Sequence, residues 1–217
     1  IRLRKGSPAS LTIRGENIVL GISATEAELE ESVRTFCESS LYSHADTICS
    51  GYIAARGGFR VGVCGRAVVR GGEIQSVTDI SSLNIRIPER VIGCADRAYE
   101  IMAEDDFSRG ILVWSVPGMG KTTLLRDLVR QLSQGEGVPP QRITLIDERE
   151  EIAVMYRGQP QMDVGPRTDV LSGCPKALAI PMALRAMNPQ IIAVDEITVR
   201  EDLRAISQAA GCGVALL

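Results

Sequence analysis

Apolar and polar positions along the chain fall into two regimes, a mostly strand-like first part and a regular strand–helix alternation beyond about residue 105. Residues 1–21 alternate, as in Ser10-Leu-Thr-Ile-Arg14 and Asn17-Ile-Val-Leu-Gly21, with Gly15-Glu-Asn between them, which predicts a β-hairpin. Thr25 followed by Glu28 is a capping box, and Leu29, Val33, Phe36 and Cys37 continue at helical spacing, predicting one amphipathic helix over about 26–42. From Gly51 to Val77 the period returns to two, in Tyr52-Ile-Ala-Ala55, Phe59-Arg-Val-Gly-Val-Cys64 and Arg66-Ala-Val-Val-Arg70. Arg-Gly-Gly at 56–58 and again at 70–72 supplies tight turns for a meander. Leu83–Ile87 is a further strand stopped by Pro88, and a helix over about 94–103 closes the unit. Glu104-Asp-Asp-Phe-Ser-Arg-Gly110 is polar and rich in turn residues, so the domain boundary is placed there, with domains at 1–104 and 110–217.

Beyond it, strands and helices alternate. Ile111–Val116 reads as an apolar strand, and the helix after it carries Leu124, Leu125, Leu128, Val129 and Leu132 on one stripe. Arg142–Ile146 and Gln190–Val194 read as buried strands, and 160–175 as a long unpatterned connection. A helix over about 176–187 contains Pro181, which should kink it or mark a late start, and a short one over 201–209 leads into a last strand. Alternation of this kind implies a mainly parallel sheet covered on both faces.

Composition adds few constraints. The chain has 217 residues, enough for one large or two small domains, and 45% hydrophobic with 24% charged residues is ordinary for a globular protein. With no apolar run of membrane-spanning length and no signal peptide, a cytoplasmic protein is expected. Ile1 at one end and the apolar Gly213–Leu217 at the other suggest a piece of a longer protein. The six cysteines are scattered without a C-x-x-C pair, which favours reduced structural thiols over zinc or disulfides, and His44 is the single histidine. A net charge of −3 argues against a surface that grips nucleic acid. The stretch Gly51–Arg97 is locally basic, with seven arginines against four acids.

The chemistry centres on Ser115-Val-Pro-Gly-Met-Gly-Lys-Thr-Thr123. A phosphate-binding loop needs backbone N–H groups converging on one anion, with Gly where a Cβ would block the approach, here Gly118 and Gly120. Lys121 supplies an ammonium for the β/γ-phosphates and Thr122 a hydroxyl for Mg²⁺, while the helix that follows aims its positive end at the same phosphates. The pattern G-x-x-x-x-G-K-S/T wants Gly in first place, and this chain has Ser115. Parallel sheets bind ligands at the carboxyl ends of their strands, and two apolar runs end in acids there. Ile191–Val194 leads into Asp195-Glu196, the form of a Walker B strand, and Thr144–Ile146 into Asp147-Glu-Arg-Glu-Glu151. Asp195 would hold the Mg²⁺ water shell beside Thr122, and Glu196 would orient or deprotonate the attacking water. So many carboxylates need cations beyond Mg²⁺ and Lys121, for which an arginine from the first domain or another subunit is the expected source.

The strings Gly51-Tyr-Ile, Gly57–Gly65, Asp79–Ile87, Asp163-Val-Gly-Pro-Arg-Thr-Asp-Val170, Cys174-Pro-Lys176 and Pro189–Ile197 closely resemble the stage III sporulation protein AA family, ATPases of a mother cell-to-forespore channel that are similar to type II and type IV secretion ATPases. The resemblance implies an α/β RecA-like P-loop ATPase domain, incomplete at its C-terminus, preceded by a smaller α+β domain. It implies ATP and Mg²⁺ as cofactors and a homo-oligomeric, hexameric ring. The ring would act on membrane-embedded sporulation channel proteins from the mother-cell cytoplasm, at the membrane periphery, without nucleic acid and without a membrane span of its own. Carried over by position, Pro117, Gly118, Met119, Gly120, Lys121, Thr122 and Thr123 form the nucleotide loop. Thr122 and Asp195 hold the metal, and Glu196 and Lys121 act in catalysis. Asp147, Glu148 and Glu151 match the acidic Asp box, and Arg60 and Arg86 lie on strands that present arginines to the terminal phosphate. Arg185 with Pro189 echoes the pair preceding Walker B. Two rivals stand beside this reading: a nucleic-acid-stimulated RecA-like ATPase, which 4% aromatic content disfavours, and a non-hydrolysing scaffold gated by nucleotide.

Overall fold

The structure is a computed structural model that describes residues 1–13, 15–37, 48–49, 51–135 and 137–217. His44 and the expected helical residues 38–42 lie outside the described residues. The chain divides into two compact units, Ile1–Glu89 and Arg90–Leu217.

The first unit opens with β1 (Arg2–Arg4), β2 (Ser7–Ile13), β3 (Glu16–Ser23) and α1 (Glu26–Phe36). At the start of α1 the capping box forms as its spacing predicts. Glu28 N–H donates to Thr25 Oγ1 at 3.3 Å, and Thr25 N–H donates to Glu28 Oε2 at 2.8 Å. The meander follows as β4 (Tyr52–Ala55), β5 (Phe59–Arg70) and β6 (Glu73–Arg86). The six strands form one antiparallel sheet in the order β3-β2-β1-β6-β5-β4. Phe59–Cys64 and Arg66–Arg70, expected as two strands, are one. Their break is a register shift between Cys64 and Arg66, where Gly65 lies so close to β6 that a Cβ would sit 2.4 Å from Thr78 O. Leu29 and Val33 of α1 bury against Ile53, Val61, Val63 and Leu83 of the sheet.

In the second unit come α2 (Asp96–Ala103), α3 (Lys121–Gln134), β7 (Ile143–Asp147), the short pair β8 (Met155–Tyr156) and β9 (Gln159–Pro160), β10 (Thr168–Ser172), α4 (Lys176–Ala186), β11 (Ile191–Val194), α5 (Arg200–Gly211) and β12 (Ala215–Leu216). Strands β10, β7, β11 and β12 form a parallel sheet in that order. Strand alternation divides its side chains between two cores. Ile143, Leu145, Ile191 and Ala193 pack with α3 residues Leu125, Leu128, Val129 and Leu132, whereas Ile146, Ile192 and Val194 pack with Ala179, Ile180 and Ala183 of α4 and Ala205 and Ala209 of α5. The sheet is therefore covered on both faces, as the alternation of strands and helices requires.

Four expectations change. The helix 94–103, assigned to the first unit, belongs to the second. Ala95 N–H donates to buried Asp127 Oδ2 at 3.0 Å, Met102 and Phe107 join the core around α3, and Phe107 packs on Tyr99 with ring centroids 5.7 Å apart. The polar run 104–110 thus lies within the second unit, and its one aromatic residue, Phe107, is buried. Strand β10 lies inside the supposed unpatterned connection and is missed by periodicity because its alternation, TDVLS, is short and only half apolar. Helix α4 starts at Lys176 and carries Pro181 within it, so the proline does not mark a late start. Finally, Ile111–Val116 is not a regular strand; Ile111 N–H donates to Leu216 O at 2.9 Å, which sets the segment beside β12 by a single bond.

Candidate nucleotide site

The loop 117–120 links the Ile111–Val116 segment to α3, and its backbone is the one phosphate binding requires. Gly118 and Gly120 adopt φ of +80° and +85°, and a Cβ on either would meet nothing within 4 Å. The space above both is open, so an approaching anion reaches backbone N–H groups directly. Gly120 is also the N-cap of α3, with no side chain bonded to the first helical amides. Those donors and the helix dipole face the same opening.

Lys121 Nζ donates to Ser115 O at 2.9 Å and to Val116 O at 3.2 Å, folding back along the loop, with Ser115 Oγ a weaker acceptor at 3.4 Å. Ser115 is absent from the residues with positive φ, so its Cβ meets no backbone strain. The departure from the loop pattern is accommodated and adds an acceptor for the lysine. Across the sheet ends, Thr122 Oγ1 donates to Asp195 Oδ1 at 3.4 Å. The order β7-β11-β12 with Ile111 beyond it explains this meeting, because α3 and the end of β11 then rise at the same edge of the sheet. A cavity of about 560 Å³ lies there, lined by Ser115, Lys121, Asp195, Glu196, Trp114 and Ile197 among others. Leu112, Trp114, Val116 and Met119 are exposed along this edge.

Burial, then the charges of Glu196, Glu151 and Asp147, push the Asp195 carboxyl above the usual aspartate range, with the Thr122 hydroxyl opposing. A hydroxyl beside a carboxylate so placed, with further carboxylates around it, is a hard-oxygen donor set suited to Mg²⁺. Thr122 and Asp195 fit the ion.

The remaining acids are less alike than their sequence suggests. Asp147 is fully buried, and both its oxygens are taken by backbone: Oδ1 accepts from Glu151 N–H at 2.9 Å, Oδ2 from Ala153 N–H at 2.8 Å, and Ile152 N–H reaches both. It shapes the loop after β7. Glu148 pairs with Lys176, which is 2% exposed. Glu196 pairs with Arg149 at 2.6 Å. Arg126 of α3 staples the same loop, donating from Nε to Ile152 O and from Nη2 to Glu151 O, both at 2.7 Å. Its burial lowers the guanidinium pKa, against the charges of Asp147, Cys94 and Asp195. The sequence pattern gave no role to Arg126, Arg149 or Lys176. Only their positions inside the Ile111–Arg126 stretch, the 147–151 acidic run and the Cys174-Pro-Lys string marked them.

Arg60 and Arg86 are directly opposed on β5 and β6 in the first unit, and the Arg60 guanidinium lies over the Tyr52 ring, 4.1 Å from its centre. Arg185 is in the last turn of α4, ahead of Pro189 and β11.

A family model described as sporulation stage III, protein AA matches residues 1–217. The stage III sporulation protein AA of Bacillus subtilis (strain 168) is 35% identical over 218 residues, an alignment that takes in 100% of this chain and 71% of that protein. Among solved structures, the pilus retraction motor PilT with bound ADP superimposes with a TM-score of 0.62 at 19% identity, and the ATPase DotB of Legionella pneumophila with 0.57 at 16%. Each match covers 99% of this chain; it spans 60% of PilT and 59% of DotB. At these identities the likeness shows a shared fold, the one that PilT and DotB have. With the family model matched from the first residue to the last and the Bacillus protein aligned along the whole chain, this protein belongs to the sporulation stage III protein AA family.

Proposed function

We propose that this chain is the core of an ATP-binding and ATP-hydrolysing motor that energises assembly or transport by a sporulation channel. The observation that carries this reading is the meeting of Thr122 with Asp195 at 3.4 Å beside a loop whose two left-handed glycines leave the helix N-terminus open. The resemblance to PilT, a motor with bound ADP in its solved structure, supports the same reading.

In this reading the N–H groups of Pro117–Thr123 other than the proline bind the β/γ-phosphates. Lys121 leaves its loop carbonyls for them and stabilises the charge that develops on the phosphoryl group. Thr122 and Asp195 would hold Mg²⁺, which would supply charge neutralisation for the phosphates. Glu196 orients the attacking water and accepts its proton for in-line displacement at the γ-phosphate. Asp147, Glu148 and Glu151 act as the Asp box, with Asp147 holding the loop's backbone. Arg60 and Arg86 serve as phosphate sensors, their directly paired positions on β5 and β6 placing two positive charges side by side. The α/β unit is RecA-like and works in a homo-oligomeric ring, a hexamer, peripheral to the membrane in the mother cell and acting on membrane-embedded channel proteins. No helix among the described residues is long and apolar enough to cross a membrane.

A calorimetric titration with Mg-ATP tests the central claim. Lys121→Ala should lose at least about tenfold in affinity, the scale of a charged hydrogen bond at about 1.5–3 kcal/mol. Unchanged affinity would sink the nucleotide site. Turnover measured alongside the size distribution with and without ATP separates a motor from a scaffold that only binds.

A further inference from the structure

Asp195, Glu196, Glu148, Glu151 and Asp147 crowd the carboxyl ends of β7 and β11, and a catalytic carboxylate in such a cluster needs a cation to hold it in place. That cation was expected from the first domain or another subunit. The second unit already supplies one. Arg149 Nη2 lies 2.6 Å from Glu196 Oε1. Oε1 is sealed from solvent and makes no aligned hydrogen bond, so the contact is one of charge against charge. Only the second oxygen of Glu196 can then meet a water.

The backbone that carries Arg149 is held on both sides. Glu150 N–H donates to Asp147 O at 3.2 Å, closing a turn over 147–150, and Glu150 itself sits in the left-handed region at φ +57°. Its carboxylate accepts from Ser172 Oγ at 2.7 Å, tying the turn to the end of β10. On the other side Glu148 is paired with buried Lys176. The loop beyond is fixed by the Asp147 carboxylate and stapled to α3 by Arg126. A residue that stays 60% exposed is therefore aimed by a turn whose neighbours are both pinned.

We propose that Arg149 is the positioning residue for Glu196: it anchors one carboxylate oxygen so that the other addresses the attacking water. This rests on the hydrolytic reading above. It assigns the guanidinium within the acidic run 147–151 a task distinct from that of Lys121 or of Arg60 and Arg86, since it acts through Glu196.

The test measures ATP turnover and ATP affinity on full-length protein for the wild type, Arg149→Ala, Arg149→Lys, Glu196→Gln and the Arg149→Ala/Glu196→Gln pair. Arg149→Ala should lower kcat roughly thirtyfold, the scale of a misplaced catalytic group. KM and ATP affinity should stay within about threefold. Lysine should restore part of the loss, and in the Glu196→Gln background the alanine should cost nothing further. An unchanged or raised kcat in Arg149→Ala overturns the proposal. So does a loss that persists undiminished in the Glu196→Gln background, or one that appears as weakened ATP affinity. If the wild type fails to hydrolyse ATP at all, the hydrolytic reading falls and takes this one with it; a working wild type indifferent to Arg149 removes this one alone.

Discussion

Single residues show how differently similar side chains are used. The carboxylates of the 147–151 run look interchangeable in sequence, yet Asp147 spends both oxygens on the amides of 151–153, whereas Glu148 meets Lys176. Spacing could bring them to the strand end but could not say which would face the cavity, because that depends on where the chain turns next. Ser115 is the converse case. As a departure from the loop pattern it raised the question of a strained Cβ, and its ordinary backbone removes the strain. Ser115→Gly should therefore leave Mg-ATP affinity within about threefold, since the lost acceptor is a long, weak contact worth under about 1 kcal/mol. Calorimetry checks it, and a tenfold gain in affinity would show that the serine does obstruct the loop.

Elements account for the family-specific strings. Asp163–Val170, the most distinctive of them, docks the approach to β10 on the end of α3. Arg167 N–H donates to Ser133 Oγ at 2.6 Å, Thr168 Oγ1 donates to Val164 O at 2.6 Å, and Gly165 turns at φ +84° against the helix. A Cβ on Gly165 would sit 2.5 Å from Ser133 Cβ and 2.9 Å from Arg130 O. Gly165→Ala should cost about 3 kcal/mol in urea unfolding through overpacking and backbone strain, and a loss under about 0.5 kcal/mol would show that the helix end gives way. The same docking explains why β10 escaped the periodicity: half of its faces are decided by α3 and β7, which lie elsewhere in the chain.

On the scale of the whole molecule, the boundary between the units follows from one buried network. Asp127 accepts from Ala95 N–H at 3.0 Å, from Arg130 at 2.8 and 3.0 Å and from Gln131 at 3.1 Å, and Gln131 reaches on to Asp96 at 2.8 Å. Burial alone would raise the Asp127 carboxyl, but the Ala95 amide and Arg130 outweigh it and hold the group below the usual aspartate range. A carboxylate so depressed contributes stability above its unfolded pKa, about 3.9, and loses it as pH falls through the folded value. Asp127→Asn should thus cost about 3 kcal/mol near neutrality, with the gap to wild type narrowing below about pH 4. Denaturant unfolding at both pH values checks this, and a gap independent of pH would contradict it. By itself the sequence determined the alternation of strands and helices after residue 110, the capping box of α1, the glycine loop ahead of α3 and the two acidic strand ends, since each rests on residues close together in the chain. Only the tertiary structure decided that α2 joins the second unit, that β10 lies beside β7, that Thr122 meets Asp195 across 73 positions, and that Arg149 faces Glu196. Those are contacts between segments far apart in sequence, and their choice of partner is made by burial and sheet order, which no local pattern encodes.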